Sequence, residues 1–311
     1  MRLIKDTKID FMAQSRLGTV ISSVLIIAGL LSIIFQGGLR LSIDFKGGTL
    51  IAVKYEETVD INEIRTTLAE VNIEGQIFDF SKNELKHFGD ETTVSLRIPL
   101  MENQQENFNQ KVVDFLYEAY PEIIPADKAD FILSVETVGP KIGAELSGKA
   151  FWAVIWALIL ILLYISVRFE FKFALGAIAA LAHDVFITLG IFSIMDFEIS
   201  LSVVAAFLTI VGYSLNDTIV IFDRIRENIK AMRNAYFPDI INKSINASLS
   251  RTIITSITTF VVVFVLWAWG GEVIHNFAFA MIIGVVIGTY SSIFVASPIV
   301  MHLHARASSK K

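Results

Sequence analysis

The sequence predicts an α-helical polytopic membrane protein: six spanning helices, with one α+β domain of ferredoxin-like plan inserted after the first. Three observations predict it. Charge is scarce, since 26 Lys and Arg plus 31 Asp and Glu make 18% of 311 residues, against roughly 25% in soluble domains. Apolar residues, 54% of the chain, gather into windows of about 20 residues, the helical length that crosses a bilayer core of about 30 Å. The one long charge-rich stretch, residues 38–148, switches between strand and helix periodicity. The absence of cysteine excludes disulfide frameworks, thiolate metal sites and cysteine nucleophiles.

The first window, LGTVISSVLIIAGLLSIIF, lies between Arg16 and Arg40 with no charge inside it. It exceeds the 7 to 15 apolar residues of a signal peptide and no A-x-A-like site follows, so it reads as an uncleaved anchor. Spans are expected at 17–36, 149–167, 173–195, 199–222, 251–270 and 274–301. The expected cytoplasmic pieces are 1–16, a loop at 223–250 and the tail 302–311. Lys and Arg set this orientation, because they resist crossing to the outside. Arg2, Lys5, Lys8 and Arg16 precede span one; Arg168 and Lys172 follow span two; Arg224, Arg226, Lys230, Arg233 and Lys243 follow span four; and Arg306, Lys310 and Lys311 end the chain. The links at Asp196–Glu198 and Gly270–Glu272 carry no Lys or Arg.

The outer domain, 37–148, holds 10 Lys and Arg against 20 Asp and Glu within residues 38–148, net −10. An acidic exterior on a basic-inside membrane portion argues against nucleic acid. TLIAVKY (49–55) is strand-like, and Asp60 can cap a helix carrying Ile61, Ile64, Leu68 and Val71 at helical spacing. GQIFDF (75–80) and TVSLRI (93–98) alternate as strands, a second helix follows from about Glu102 with Phe108, Val112, Phe115 and Leu116 on one face, and FILSVETV (131–138) closes the set. The order β-α-β-β-α-β is the split βαβ pattern. Glycines bracket the domain. Asp44, Phe45, Gly47 and Gly48 before the first strand, and Gly139 and Pro140 before span two, read as turn chemistry or as hinges.

Ionisable groups inside a membrane cost about 2.5 to 3.5 kcal/mol each on insertion scales, so each needs a reason. Asp184 falls near the middle of span three and Asp217, beside Asn216, falls in span four. Span five opens with Ser248, Arg251, Thr252, Thr255, Thr258 and Thr259 at three- and four-residue spacing, a polar stripe headed by a cation. Asp217 lies about 9 Å along its helix from Asp223, a depth Arg251 can reach, so this pair reads as a proton relay or as a static ion pair. Asp184 has no evident cation, and His183, about 100° round the helix, is expected on another face. No metal site or cofactor is expected. His87, His275, His302 and His304 read as surface or span-end residues. Gly284 and Gly288, like Gly176 and Ala180, allow close helix packing.

DFKGGT (44–49), VGPKIG (138–143), HD (183–184), GYSLNDTIVIFDRIREN (212–228), SRTIITS (250–256) and GTYSSIFVASP (288–298) resemble the SecF family of bacterial protein-export subunits, within the RND superfamily. The resemblance covers nearly the whole chain; Lys46 fills a variable slot, and nothing is carried over at Ile274, His275 and Asn276. It implies a bacterial inner-membrane protein with cytoplasmic termini and a periplasmic domain. It implies pairing with SecD in a twelve-span unit beside the SecYEG channel, often with YajC, using proton flow to draw preproteins across. It also implies that Asp217 and Arg251 belong to the proton path, in which Asp184 and Asn216 are candidates as well. An RND-type small-molecule efflux half-transporter and a non-energised assembly scaffold are the alternatives. An intramembrane aspartyl enzyme is disfavoured because the segment reads Gly-Tyr-Ser-Leu-Asn-Asp rather than Gly-x-Gly-Asp.

Overall fold

The computed structural model describes residues 7–99, 107–232 and 235–308. Two compact units result, 1–40 with 151–311 and 41–150, and each has its own apolar core.

The chain's first helix, α1 (Ser15–Phe35), belongs to the helical unit. The sheet unit opens with a helical turn, α2 (Ile43–Lys46), whose cap Ser42 Oγ accepts from Asp44 N at 3.2 Å. Gly47 (φ 74°) and Gly48 (φ 132°) then turn the chain into β1 (Gly48–Lys54). These left-handed values favour glycine. After α3 (Ile61–Thr67), capped by Asp60 accepting from Asn62 N at 2.8 Å, come β2 (Val71–Ile73), β3 (Gln76–Phe78), β4 (Leu85–Phe88) and β5 (Asp90–Ile98). The unit ends with α4 (Phe108–Ala119), the turn α5 (Lys128–Phe131) and β6 (Ile132–Val138). The sheet runs β4-β5-β1-β6, all antiparallel, with Thr49 opposite Ile98 and Gly48 opposite Val138. That is the ferredoxin-like order.

Two expectations need correction here. GQIFDF does not supply the second strand of the sheet: its Gln76–Phe78 pairs with Val71–Ile73 in a separate ribbon, and the hairpin partner of β5 is Leu85–Phe88. Glu74 (φ 50°) and Gly75 (φ 84°) form a two-residue turn with both central φ positive, which closes the ribbon on itself and consumes its pairing edge. Val71 therefore ends the helix-forming run and starts a strand. The expected start of the second helix at Glu102 lies outside the described residues.

The sheet unit's core gathers Ile51, Tyr55, Leu68, Phe80, Leu96, Leu116 and Phe131, each at most 2% exposed. Tyr55 packs edge-on against Phe131, with ring centroids 5.3 Å apart. Its hydroxyl is buried with no partner, and burial pushes the phenol above its ordinary pKa. A buried hydroxyl without a partner carries its desolvation cost uncompensated. In the isolated 38–148 fragment, Tyr55→Phe is expected to keep or raise the melting temperature; a drop of several degrees in a circular dichroism melt would show that the hydroxyl bonds to something else.

Next come α6 (Pro140–Arg168), which belongs to the helical unit from Phe151 onward, and α7 (Phe171–Ile194), α8 (Leu201–Ala231) and α9 (Phe237–Trp269). The last span runs through α10 (Glu272–Ser291), a π-turn at Ser292–Ala296, and α11 (Ser297–Ser308). Six of these helical stretches are long and apolar enough to cross a membrane. The region expected as a loop at 223–250 is mostly helix. Ile225 on α8 and Ile240, Ile241, Ile245 and Leu249 on α9 are buried, and Asn228 Nδ2 donates to Ser244 Oγ at 2.8 Å. Charge ends the apolar window without ending the amphipathic pattern, so both helices continue past it.

Close approach governs α1 on α7. A Cβ on Gly29 would lie 2.6 Å from the Cα of Gly190, and one on Gly190 would lie 2.7 Å from the Cα of Gly29. Ser32 Oγ and Ser193 Oγ meet at 2.8 Å and Gln36 Nε2 donates to Ser193 O at 2.7 Å. Arg40, just past α1, pairs with Asp196 and with Glu198 at 3.7 Å, placing the α7–α8 link at the same end as the end of α1. At the other end, Arg168 holds Asp223 with two contacts of 2.9 Å, and Asn242 and Asn246 hold residues 9–12. By contrast α6 leaves nearly all of its apolar surface uncovered, including Phe151, Trp152 and Trp156.

Candidate functional site

Two buried carboxylates occupy the bundle. Asp217 sits sixteen residues into α8, 3% exposed, on the face that also buries Ser214, Thr218 and Ile221. Thr218 Oγ1 meets Ser292 Oγ of the π-turn at 3.0 Å, which ties this face to the last span. Pro298 has no N–H to continue the helical ladder. One π-turn, with Ser297 Oγ donating to Ser292 O at 2.9 Å, absorbs the break.

Opposite Asp217, α9 turns Thr252 and Ser256 inward. Ser256 Oγ bonds Thr289 Oγ1 of α10 at 2.7 Å, while the Thr252 hydroxyl is buried without a partner. The rest of the polar stripe does not face protein throughout: Ser248 is buried, whereas Arg251 and Thr258 are exposed. Thr255 and Thr258 donate back to their own helix and Thr258 is exposed, because a hydroxyl on a helix can satisfy itself on the carbonyl three or four residues earlier. Ser256 and the guanidinium of Arg251 act on the Asp217 carboxylate, but among the described residues no ion pair at 4 Å or less joins Asp217 to Arg251, which is exposed. Asp217 Oδ2 has no hydrogen-bond partner. Asn216 is exposed and is not brought to this face.

Asp184, 1% exposed on α7, is surrounded differently. Its Oδ2 accepts from Ser214 Oγ at 2.5 Å and from Ser291 Oγ at 2.8 Å, and its Oδ1 lies 2.9 Å from His183 Nδ1. The expectation that His183 faces away is therefore corrected. The 100° between successive Cα–Cβ directions is bridged by the imidazole, which folds back so that Nδ1 reaches its neighbour's carboxylate while Nε2 meets Ser22 Oγ at 2.8 Å. The side-chain partner missing around Asp184 in sequence is thus next to it in the chain. Ser22, Ser214, Tyr290 and Ser291 escaped sequence reasoning; only the Ser-Ser pair after Gly288 hinted at a polar face inside an apolar span.

The small residues make these contacts possible. A Cβ on Gly288 would stand 2.9 Å from Ser214 Cβ, and one on Gly284 would stand 2.2 Å from Ile210 Cγ1. In the sheet unit, Gly143 lets the start of α6 approach the Phe45 carbonyl and Gly47 N, since its Cβ would be 3.1 and 3.2 Å from them. Asp44 lies in the first turn of α2, and Gly139 has open space around it. Of the other four histidines, His87 is exposed on β4, Trp267 Nε1 donates to His275 Nε2 at 3.0 Å, His302 Nδ1 meets Pro298 O at 2.7 Å, and His304 stacks on Phe237. Among the described residues no cluster of three His, Asp or Glu could hold a metal.

Comparison with known proteins agrees with this arrangement. The family described as "Protein export membrane protein SecD/SecF, C-terminal" matches residues 123–306, and the "SecD/SecF GG Motif" matches residues 32–59. The chain is 47% identical over 310 residues, 96% of both chains, to the Calditerrivibrio nitroreducens protein translocase subunit SecF, and 41% identical to that of Rhodothermus marinus, covering 100% of this chain and 98% of the relative. Among solved structures it resembles SecDF, a translocon-associated membrane protein from Thermus thermophilus, with a TM-score of 0.84 at 35% identity over 96% of this chain. A super-membrane-facing form of SecDF gives a TM-score of 0.69 at 34% identity over 99% of this chain. The chain spans only 39% and 40% of those two longer chains. With two family segments in place and SecF relatives similar from end to end, the chain belongs to the SecD/SecF family of protein export membrane proteins.

Proposed function

We propose that this chain is an accessory subunit of the Sec protein-export machinery rather than an enzyme, and that it couples proton entry to preprotein movement. In this reading it lies in a bacterial inner membrane with both termini cytoplasmic and residues 38–148 periplasmic. It pairs with SecD into a twelve-span unit beside SecYEG, with YajC as a further partner. Its similarity to SecF relatives and to 39% and 40% of the two SecDF chains supports the pairing with SecD.

One observation carries the proton reading: Asp217, buried at mid-helix, keeps one carboxyl oxygen without a partner opposite the inward hydroxyls of α9. A saturated carboxylate would be an anchor; an open oxygen can take a proton without breaking a bond. Arg251 sits near enough to bias Asp217 electrostatically without pinning it in an ion pair. A proton crossing 100 mV releases about 2.3 kcal/mol, about a fiftyfold bias on a two-state equilibrium at 1.4 kcal/mol per factor of ten.

In vesicles holding the chain, its SecD partner, the channel and a stalled preprotein, proton flux is expected only while preprotein is in transit. Flux stimulated by a small amphiphile without preprotein would favour an efflux half-transporter. Preprotein movement indifferent to the proton gradient would favour a scaffold.

A further inference from the structure

The hydrogen bonds around His183 run in one direction, and that direction fixes its protons. The Gly18 carbonyl can only accept, so the 2.6 Å contact from Tyr290 Oη uses the phenolic hydrogen. The Tyr290 oxygen is then left to accept from Ser22 Oγ, 3.1 Å away, and the Ser22 hydrogen points at it. Ser22 oxygen in turn accepts from His183 Nε2 at 2.8 Å, so Nε2 carries a hydrogen. On the other side of the ring the 2.9 Å contact between Nδ1 and Asp184 Oδ1 also needs one hydrogen. Two hydroxyls already donate to Oδ2, from Ser214 and Ser291. Donors converging on both oxygens favour the carboxylate form, which places the remaining hydrogen on Nδ1.

We infer that His183 and Asp184 form a second proton-binding site, separate from Asp217, that holds its proton as an imidazolium–carboxylate pair and uses it to fasten α1 to α7, α8 and α10. The pair is neutral overall, so burial at 6% and 1% exposure leaves no net charge in the bundle. The groups facing it are Ser22 from α1, Ser214 from α8, and Tyr290 and Ser291 from α10, with Tyr290 stacked on the imidazole at 6.0 Å. Among the other ionisable residues on those helices, Tyr213 adjoins Ser214 and Asp217 lies three residues beyond it; α1 carries none after Arg16. Loss of the single shared proton would set the Nδ1 lone pair against Oδ1, turn the ring and withdraw the donor from Ser22. The polar tie of α1 to α7 at this level would then open. Asp217 and Asp184 therefore play different parts: an open oxygen that can gain a proton, and a saturated pair that keeps one.

The test uses the full chain with its partner in lipid vesicles, labelled with ¹⁵N-histidine. His183→Gln identifies the signal among the five histidines. At pH 7 both His183 nitrogens are expected to carry a proton. Asp184→Asn should convert His183 to the neutral ring, because an imidazolium would lose its counter-charge; Asp217→Asn should leave the His183 signal in place. A neutral His183 in the unmodified chain at pH 7 overturns the assignment whatever the variants do, and its neutralisation by Asp217→Asn would make the two carboxylates one coupled site. For the fastening role, Ser32→Cys with Ser193→Cys joins α1 to α7 in a chain with no other cysteine. Disulfide formation should slow several-fold when His183→Gln is added; an unchanged rate overturns the α1 tie.

Discussion

Asp217→Asn is expected to abolish the proton-dependent stage of export while leaving the subunit folded, assembled and present in normal amount. The substitution keeps shape and volume almost unchanged and replaces the only acidic residue buried on α8 among the described residues. Because Oδ2 has no partner, an amide there breaks no bond, and the unpartnered Thr252 hydroxyl across on α9 is another polar group that the same substitution leaves undisturbed. Stability should therefore move by less than about 1 kcal/mol, the scale of one net hydrogen bond. The energetic effect falls on coupling: the roughly fiftyfold bias available from one proton across 100 mV disappears. Preprotein movement in energised vesicles should fall to the level seen with the gradient collapsed, while movement driven by ATP alone persists. Arg251→Met should share the phenotype, since removing the cation removes the electrostatic bias on Asp217. Near-normal gradient-dependent export by Asp217→Asn would remove the proton reading and leave the scaffold.

Gly190→Ala is expected to have the largest structural effect of any single-methyl addition to α7. The new Cβ would lie 2.7 Å from the Cα of Gly29. That neighbour is backbone, so it yields only if the whole of α1 moves away. Overpacking of this kind costs about 1 to 3 kcal/mol. The displacement would also pull apart the Ser32–Ser193 contact and the Gln36–Ser193 bond. Cross-linking between Ser32→Cys and Ser193→Cys should fall sharply in the Gly190→Ala background. Gly212→Ala is the control: a Cβ there meets nothing within 4 Å, and alanine is about 1 kcal/mol better than glycine in a helix, so cross-linking should be retained. Equal yields from both variants would show that α1 and α7 are not held at van der Waals contact.

The sequence by itself determined the class of the protein and most of its elements. Apolar length is a local property, so six spans and the inserted acidic domain were legible from windows of charge, and the strands TLIAVKY, TVSLRI and FILSVETV from strand-like composition or, in TVSLRI, alternation. Local patterns failed where pairing choices compete. GQIF and LKHF are both short, and only the tight turn at Glu74–Gly75 decides that the first closes a ribbon and the second joins the sheet. The helices outran their apolar windows for a related reason: the bilayer sets where charge is costly, whereas packing of Ile225 and Ile240 sets where the helix stops.

The membrane carboxylates were visible as costly residues, yet their partners were not. Asp217 and Arg251 share a depth by simple rise per residue, but whether they touch depends on two side chains and the angle between two helices, and the bundle leaves them apart. The His183–Asp184 contact depends on an imidazole rotamer that helix geometry alone does not specify, and on Ser22, Ser214 and Ser291 arriving from three other helices. Those arrivals require the glycine contacts at 29, 190 and 288, where the absence of a side chain brings backbones together. Hydrophobic periodicity registers which faces are buried; it carries no record of which buried face meets which, because that is settled by interhelical packing.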